Sequence, residues 1–364
     1  MRKVLYKFLL AVNILFASAL LVSYLAVSIS PARFVFPAFF GLAYPYLAIM
    51  NILLALTWAI FRKYEALISI VIIAAGFTHI RNYIRIGNHN FNKENTFKVV
   101  SYNLRLFNYF ESQNTNSEKK VLAFLKTQKS DILCLQEFYV NGDPVLKDSE
   151  VKKALGGGYY SHMKVIGSGK NRYYGIATYS KFPIAGRGEI QHKGSSSMSI
   201  YTDIVIRTDT FRIFNNHLQS FRLKSIEKSF FEEMTTPDEK EILDEVGSVS
   251  SSLKKGFIRR AGQAQALKAA IDTSPYPVIV AGDFNDTPVS YAYMTIRKGL
   301  NDSFVSSGTG AGFTYRGNYP PNRIDYILYD NALECMGFDI LRVKYSDHFP
   351  ISTYFRKTHQ KAVF

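Results

Sequence analysis

Apolar positions run along this chain in two rhythms. Before about residue 86 they form near-continuous runs, Leu5–Ile29, Phe34–Phe61 and Ala66–Thr78. After Thr96 they come in short bursts between polar breaks, the pattern of strands. The bursts fall at Phe97–Ser101, Asp131–Gln136, Tyr159–Val165, Tyr174–Tyr179, Ser199–Arg207, Thr210–Asn216, Val278–Ala281, Ile324–Tyr329, Ala332–Val343 and Pro350–Phe355. Helical spacing predicts helices over Ser117–Gln128, with Val121, Leu122 and Leu125 on one face, over Phe257–Ile271 and near Ser290–Leu300. Strand and helix alternate, hairpins follow, and the same order returns. That order predicts an α/β fold of two sheets packed face to face with helices outside.

The early runs are long enough for a bilayer, and three transmembrane helices are expected, the second bent or shifted by Pro37 and Pro45. A cleaved signal peptide would explain the first run but not the other two. Tyr44, Tyr46, Trp58 and Tyr64 read as interfacial anchors. An odd number of spans with Arg2, Lys3 and Lys7 inside places the rest of the chain on the non-cytoplasmic side of an inner or plasma membrane. The spans carry no ionisable residue at depth, so they read as an anchor and not a transporter. The expected organisation is an anchor over 1–86, a polar linker over 87–95 and a soluble domain over 96–357, with a charged insertion at 221–256.

Composition adds two constraints. Of the 364 residues 47% are hydrophobic and the net charge is +15; residues 1–90 hold eight Lys/Arg and one acid, Glu65. The mildly basic remainder suits an anionic substrate or surface. The two cysteines, Cys134 and Cys335, exclude a disulfide scaffold.

Chemistry gathers where apolar bursts stop. In VIVAGDFNDTP, Gly282 breaks a buried strand and Asp283, Asn285 and Asp286 follow. Asn103, Glu137, His217, Asp325, Asp347 and His348 hold comparable positions. Each has a plain alternative: a turn cap for Asp286, a salt bridge from Arg323 for Asp325, a satisfied core histidine for His217. Together they supply what phosphoester hydrolysis needs. Asn103, Glu137 and Asp347 offer hard oxygens suited to Mg²⁺ or Mn²⁺. Asp283 can orient or deprotonate water, and Asn285 can donate to a phosphoryl oxygen. Asp325 can hold His348 in one tautomer, and His217 can contact the phosphate or protonate the leaving oxygen. Walker-type glycine loops, zinc-spaced Cys/His and a nucleophile elbow are all missing from the sequence.

The stretches SYNLR, LQEF, NNHLQS, GDFND, RIDYIL and SDHFP, in this order, resemble the endonuclease/exonuclease/phosphatase superfamily over about Thr96 to Phe355. The resemblance implies a four-layered α/β sandwich and Mg²⁺-dependent hydrolysis of a phosphoester. It implies metal ligation by Glu137 with Asn103 and Asp347, water and phosphate positioning by Asp283 and Asn285, and an Asp325–His348 dyad. The imidazole at His217 is similar to the deoxyribonuclease and neutral sphingomyelinase branches, which points away from abasic-site repair. The substrate classes left open are nucleic acid and phospholipid head groups, with the bilayer as the other partner. A non-catalytic membrane scaffold is the alternative class, and it would be expected to have lost some of these polar positions.

Overall fold

A computed structural model gives the structure of residues 2–87, 93–108, 117–141, 148–167, 172–192, 197–221 and 239–358. Two units divide the chain. The first comprises Met1–Tyr83, Ser220–Gln265 and Asp286–Ile296, the second Ile84–Gln219, Ala266–Asn285 and Arg297–Phe364.

In the first unit the early runs form α1 (Arg2–Leu25), α2 (Phe36–Leu42), α3 (Tyr44–Ile60) and α4 (Ala66–Ala75). Three spans were expected; among the described residues one helix, Lys3–Leu25, is long and apolar enough to cross a membrane. The second run is broken: Pro37 and Pro45 each sit in the first turn of a separate helix, and α2 and α3, which are long and apolar enough only when taken together, meet at a 68° bend. The third yields only the ten residues of α4, a rise of roughly 15 Å against a hydrocarbon core of about 30 Å. Tyr44 and Trp58, expected at an interface, are buried within the unit, whereas Tyr46 and Tyr64 are exposed. Asn13, Asn51 and Ser69 form a buried knot: the Ser69 hydroxyl donates to Asn13 Oδ1 (2.6 Å) and to Asn51 Oδ1 (3.2 Å), and Asn51 donates to the Phe16 carbonyl. Polar side chains satisfied this way fix the register of an otherwise uniform apolar surface.

The second unit contains β1 (Ile84–Arg85), β2 (Phe97–Asn103), β3 (Ile132–Asn141), β4 (Tyr160–Gly167), β5 (Arg172–Ser180), β6 (Ile184–Ile190), β7 (Met198–Ile206), β8 (Asp209–His217), β9 (Val278–Asp283), β10 (Asn301–Asp302), β11 (Gly310–Ala311), β12 (Asp325–Tyr329), β13 (Leu333–Ile340) and β14 (Ile351–Lys357). Two six-stranded sheets form, ordered β13-β14-β2-β3-β5-β4 and β10-β12-β9-β8-β7-β6, while β1 pairs with β11. The α/β sandwich expectation is met. The sheets are mixed: β2 runs parallel to β3 and β8 parallel to β9, with every other pairing antiparallel.

Side-chain alternation divides the apolar content between layers. From β2, Phe97 and Val99 join Ile132 and Cys134 of β3 and Ile213, Ile279 and Ile327 of the other sheet in a common core. Val100 and Tyr102 face away and are covered by Val121, Leu122 and Leu125 of the Ser117–Thr127 helix. The helix expected from Phe257 begins earlier, at Glu239, inside the expected insertion. Its charge-rich first half hides the helical period. Residues 222–238 of that insertion, and 88–92 of the linker, lie outside the described residues.

Candidate functional site

The two parallel pairs end side by side in register. Asn103 of β2 is opposite Gln136 of β3, and His217 of β8 is opposite Asp283 of β9. Asp325, the first residue of the antiparallel β12, is also opposite Asp283. Strand ends of this kind carry the sites of many α/β folds, because the last residues of parallel strands point into one crevice.

Local backbone geometry at these ends is unusual. Gly282 has φ +135, and a Cβ there would lie 2.0 Å from the Asn216 carbonyl oxygen, so only glycine lets β9 approach β8 this closely. Glu137 (φ 45) and Asn285 (φ 52) are left-handed without being glycine. Glu137 lies where the β3–β5 register shifts, between Leu135 and Phe138. Arg105, Leu106 and Phe107 are left-handed in succession (φ 46, 53 and 56). Such conformations persist only where flanking contacts hold them, and they concentrate at functional sites. Here Leu104 and Phe107 are buried, and the Ser117 hydroxyl donates to the Phe107 carbonyl.

Asp283 is the hub. Its buried Oδ2 accepts from Asn103 Nδ2 (2.9 Å) and Asn285 Nδ2 (3.1 Å), and Oδ1 accepts from the Asn285 amide (2.7 Å). His348 Nε2 and His217 Nε2 stand 3.8 and 3.9 Å from Oδ2. The other His348 nitrogen, Nδ1, is 2.9 Å from Asp325 Oδ2, and Asp325 takes its place because its backbone amide donates to Thr314 Oγ1. His217 Nε2 lies 3.4 Å from Glu137 Oε1 and has no hydrogen-bond partner among the described residues. Asn103 Nδ2 reaches Glu137 Oε1 at 3.4 Å. Asp347 is tied in through Arg105, whose Nε is 3.2 Å from Asp347 Oδ2 and whose amide donates to Asn103 Oδ1.

Electrostatics separate the two central groups. Burial first, then the charge of Asp325, raises the Asp283 carboxyl above its ordinary range, against the pull of His348 and His217. For His348 burial opposes the charged form, but the Asp325 and Asp283 carboxylates outweigh it and hold the imidazole up. Both groups are raised above their ordinary ranges, which leaves a carboxyl able to take a proton beside an imidazole held in its charged form.

Two sets of side chains have the chemistry for a divalent cation. Ligand atoms of Asp283, Asp325 and His348 lie within 4.8 Å of one another. That set fits poorly, because His348 Nδ1 is engaged by Asp325 and the imidazole is favoured in its charged form. Glu137, Asn103 and Asp347 offer an all-oxygen set: the left-handed Glu137 is half-exposed with Oε1 3.4 Å from Asn103 Nδ2, and Asp347 is linked to Asn103 through Arg105. Hard oxygens without thiolate suit Mg²⁺ or Mn²⁺.

The eight residues given a chemical role in the sequence, Asp286 not among them, therefore belong to one connected region. Two alternatives are resolved: Arg323 pairs with Asp302 and not Asp325, and Asp286 pairs with Arg260 Nε at 2.9 Å besides capping its turn through the Thr287 amide. Arg105, Thr314 and the buried Gln136–Asn215 bridge beneath the site (2.7 Å) escaped the sequence reading, although SYNLR, LQEF and NNHLQS contain three of them. Asn285 differs from its expected part, since its carboxamide donates to the Leu218 carbonyl (3.0 Å) and to Asp283.

Comparison with known proteins agrees with this geometry. Residues 100–348 match the model of the Endonuclease/Exonuclease/phosphatase family. The chain belongs to that family. It is accordingly an enzyme of the phosphoester hydrolase type. Residues 6–83 match a separate domain of unknown function. No curated protein matches the sequence. Among solved structures, a humanized D. rerio TDP2 is similar at 15% identity and TM-score 0.53, covering 72% of this chain and 100% of that one. The family member from Bacteroides vulgatus gives 17% identity and TM-score 0.52, covering 72% and 99%. The human Nocturnin catalytic domain, with a bound sulfate anion, gives 18% and 0.51, covering 74% and 97%. At these identities the likeness establishes the fold.

Proposed function

We propose that this family member is a divalent-metal-dependent phosphodiesterase, held at a membrane by its N-terminal helix, that hydrolyses a phosphoester with water. The observation that carries the reading is the hub at Asp283: a buried carboxylate gripped by two carboxamides, with His217 Nε2 unpaired and His348 held by Asp325. Asp283, its carboxyl raised toward neutrality, takes the proton of the attacking water. His348, kept charged by Asp325, faces the anionic substrate, and His217 donates through Nε2 to the leaving oxygen. Asn103 and Asn285 hold Asp283 in place; contact between Asn285 and the phosphoryl group requires one of its N–H groups to leave Leu218 or Asp283. A cation held by Glu137, Asn103 and Asp347 would neutralise phosphate charge. The sulfate on the Nocturnin neighbour is an anion of the same shape, which fits this reading.

Read as a single span, Lys3–Leu25, with Arg2 before it and Lys3 and Lys7 in its first turns, supports a family domain on the non-cytoplasmic side of the membrane. A membrane location favours a phospholipid head group; the basic domain and the nuclease branch favour nucleic acid. The test is full-length protein in nanodiscs with Mg²⁺, assayed on bis-p-nitrophenyl phosphate, then in parallel on plasmid DNA, sphingomyelin, phosphatidylinositides and nucleotides. Turnover abolished by EDTA and by Glu137→Ala is expected. Wild type and Glu137→Ala indistinguishable at background would sink the proposal.

A further inference from the structure

The segment that follows the hub, Asp286–Ile296, is in the same unit as the N-terminal helices. Two routes join α2 to it. Gly41 lies against the backbone of Val289: a Cβ on Gly41 would be 2.3 Å from the Val289 carbonyl oxygen and 2.6 Å from Ala26 Cβ. The Thr287 hydroxyl donates to the Gly41 carbonyl at 3.4 Å. The second route runs through rings. Phe39 meets Phe257 edge-on, centroids 5.3 Å apart, and Phe257 meets Phe221 the same way. The guanidinium of Arg260, wholly buried, lies 4.1 Å from the Phe221 centroid and 5.3 Å from that of Phe257, and reaches Asp286 with Nε.

Upstream, Asn285 is gripped by Asp283 and Leu218. Downstream its left-handed backbone continues covalently into Asp286–Val289, so a shift of that segment bears directly on it. A helix whose sole task was anchoring would have no reason to place a glycine where any side chain collides with this segment.

We infer that α2 is a positioning element for the reaction: through Gly41 and Phe39 it clamps Asp286–Val289 and thereby holds Asn285, and with it Asp283, in working geometry. The N-terminal helices are thus a component of the enzyme as well as its tether. This rests on the proposed reading of Asp283 and Asn285, and the experiment keeps the two separable.

Full-length wild type, Gly41→Val, Phe39→Ala and Thr287→Val are compared in nanodiscs by steady-state kinetics, thermal melting and amide exchange of the peptide over 284–290. Ile60→Ala, at an exposed position of α3, is the control. Gly41→Val should lower kcat at least tenfold with KM within twofold, and speed exchange of 284–290 at least tenfold. Phe39→Ala and Thr287→Val should show the same split more weakly, Thr287→Ser should restore wild-type values, and the control should match wild type. Unchanged kcat and exchange in a folded Gly41→Val would overturn the inference. If that variant fails to fold, the same null result in Phe39→Ala and Thr287→Val overturns it. A wild type inactive on every phosphoester removes the catalytic reading alone, and the exchange data still decide whether α2 clamps the segment.

Discussion

Asn103 Nδ2 donates to Asp283 Oδ2 at 2.9 Å, a single hydrogen bond that ties the end of a parallel pair in one sheet to the end of its counterpart in the other. The carboxylate it grips is buried, accepts three donors and faces two imidazoles. Removing its charge while keeping its shape tests whether it handles a proton. Asp283→Asn should lower kcat by roughly 10²- to 10⁴-fold, the range for a lost general base. Steady-state turnover of bis-p-nitrophenyl phosphate measures it, and a loss under tenfold would count against the assigned role.

Metal dependence should trace to the oxygen set. Activity should vanish in EDTA and return with Mg²⁺ or Mn²⁺. Because Glu137 is placed by a left-handed backbone and bordered by Asn103 and His217, Glu137→Gln should raise the Mg²⁺ needed for half-maximal activity by about 10- to 100-fold. A titration of rate against Mg²⁺ reads this directly; an unchanged curve would remove Glu137 from the ligand set.

Beneath the site, Gln136 donates to Asn215 Oδ1 at 2.7 Å, and Asn215 donates to the Ala177 carbonyl at 2.9 Å, all within the core. Asn215→Ala strands those buried groups. It should destabilise the fold by about 1–3 kcal/mol, the cost of unsatisfied buried partners. Denaturant unfolding monitored by tryptophan is unsuitable, since the one tryptophan is Trp58 in α3, so far-ultraviolet circular dichroism is the probe.

Acid sensitivity should come from His192. Burial, and then the charge of Lys164, lower its pKa to about 4, and its Nε2 is 2.9 Å from Ser199 Oγ. The unfolded chain takes up this proton near pH 6.5 and the folded chain does so only near 4. Its contribution to stability is therefore complete above about pH 6.5 and is lost as pH falls toward 4. Between pH 7.5 and 5.0 the melting temperature of the wild type should fall more than that of His192→Gln; equal slopes would reject the assignment.

Much of the site was legible because its residues follow short continuous apolar runs that stop at a polar residue. Asp283 after VIVAG and Glu137 after ILCLQ are of this kind. Arg105 was not, because its contact with Asp347 depends on three left-handed residues that no propensity announces. The second apolar run shows the reverse failure. Its composition is that of a span, but prolines suited to first turns made it two helices. The edge strand β6 was missed because IAGRGEI buries one side only partly, leaving Gly and charge to dominate its composition.

The parallel pairing of β2 with β3 and of β8 with β9 has a consequence for how the protein comes into being. A parallel pair cannot close through a tight turn and waits for its crossover, and the bond joining the two pairs spans 180 residues of chain. Contacts so distant in sequence form late. During synthesis α1 is complete long before the ribosome has made Asp283. The order of events is N-terminal helices first and site last, so a chain interrupted on the way is left inert, without its hub.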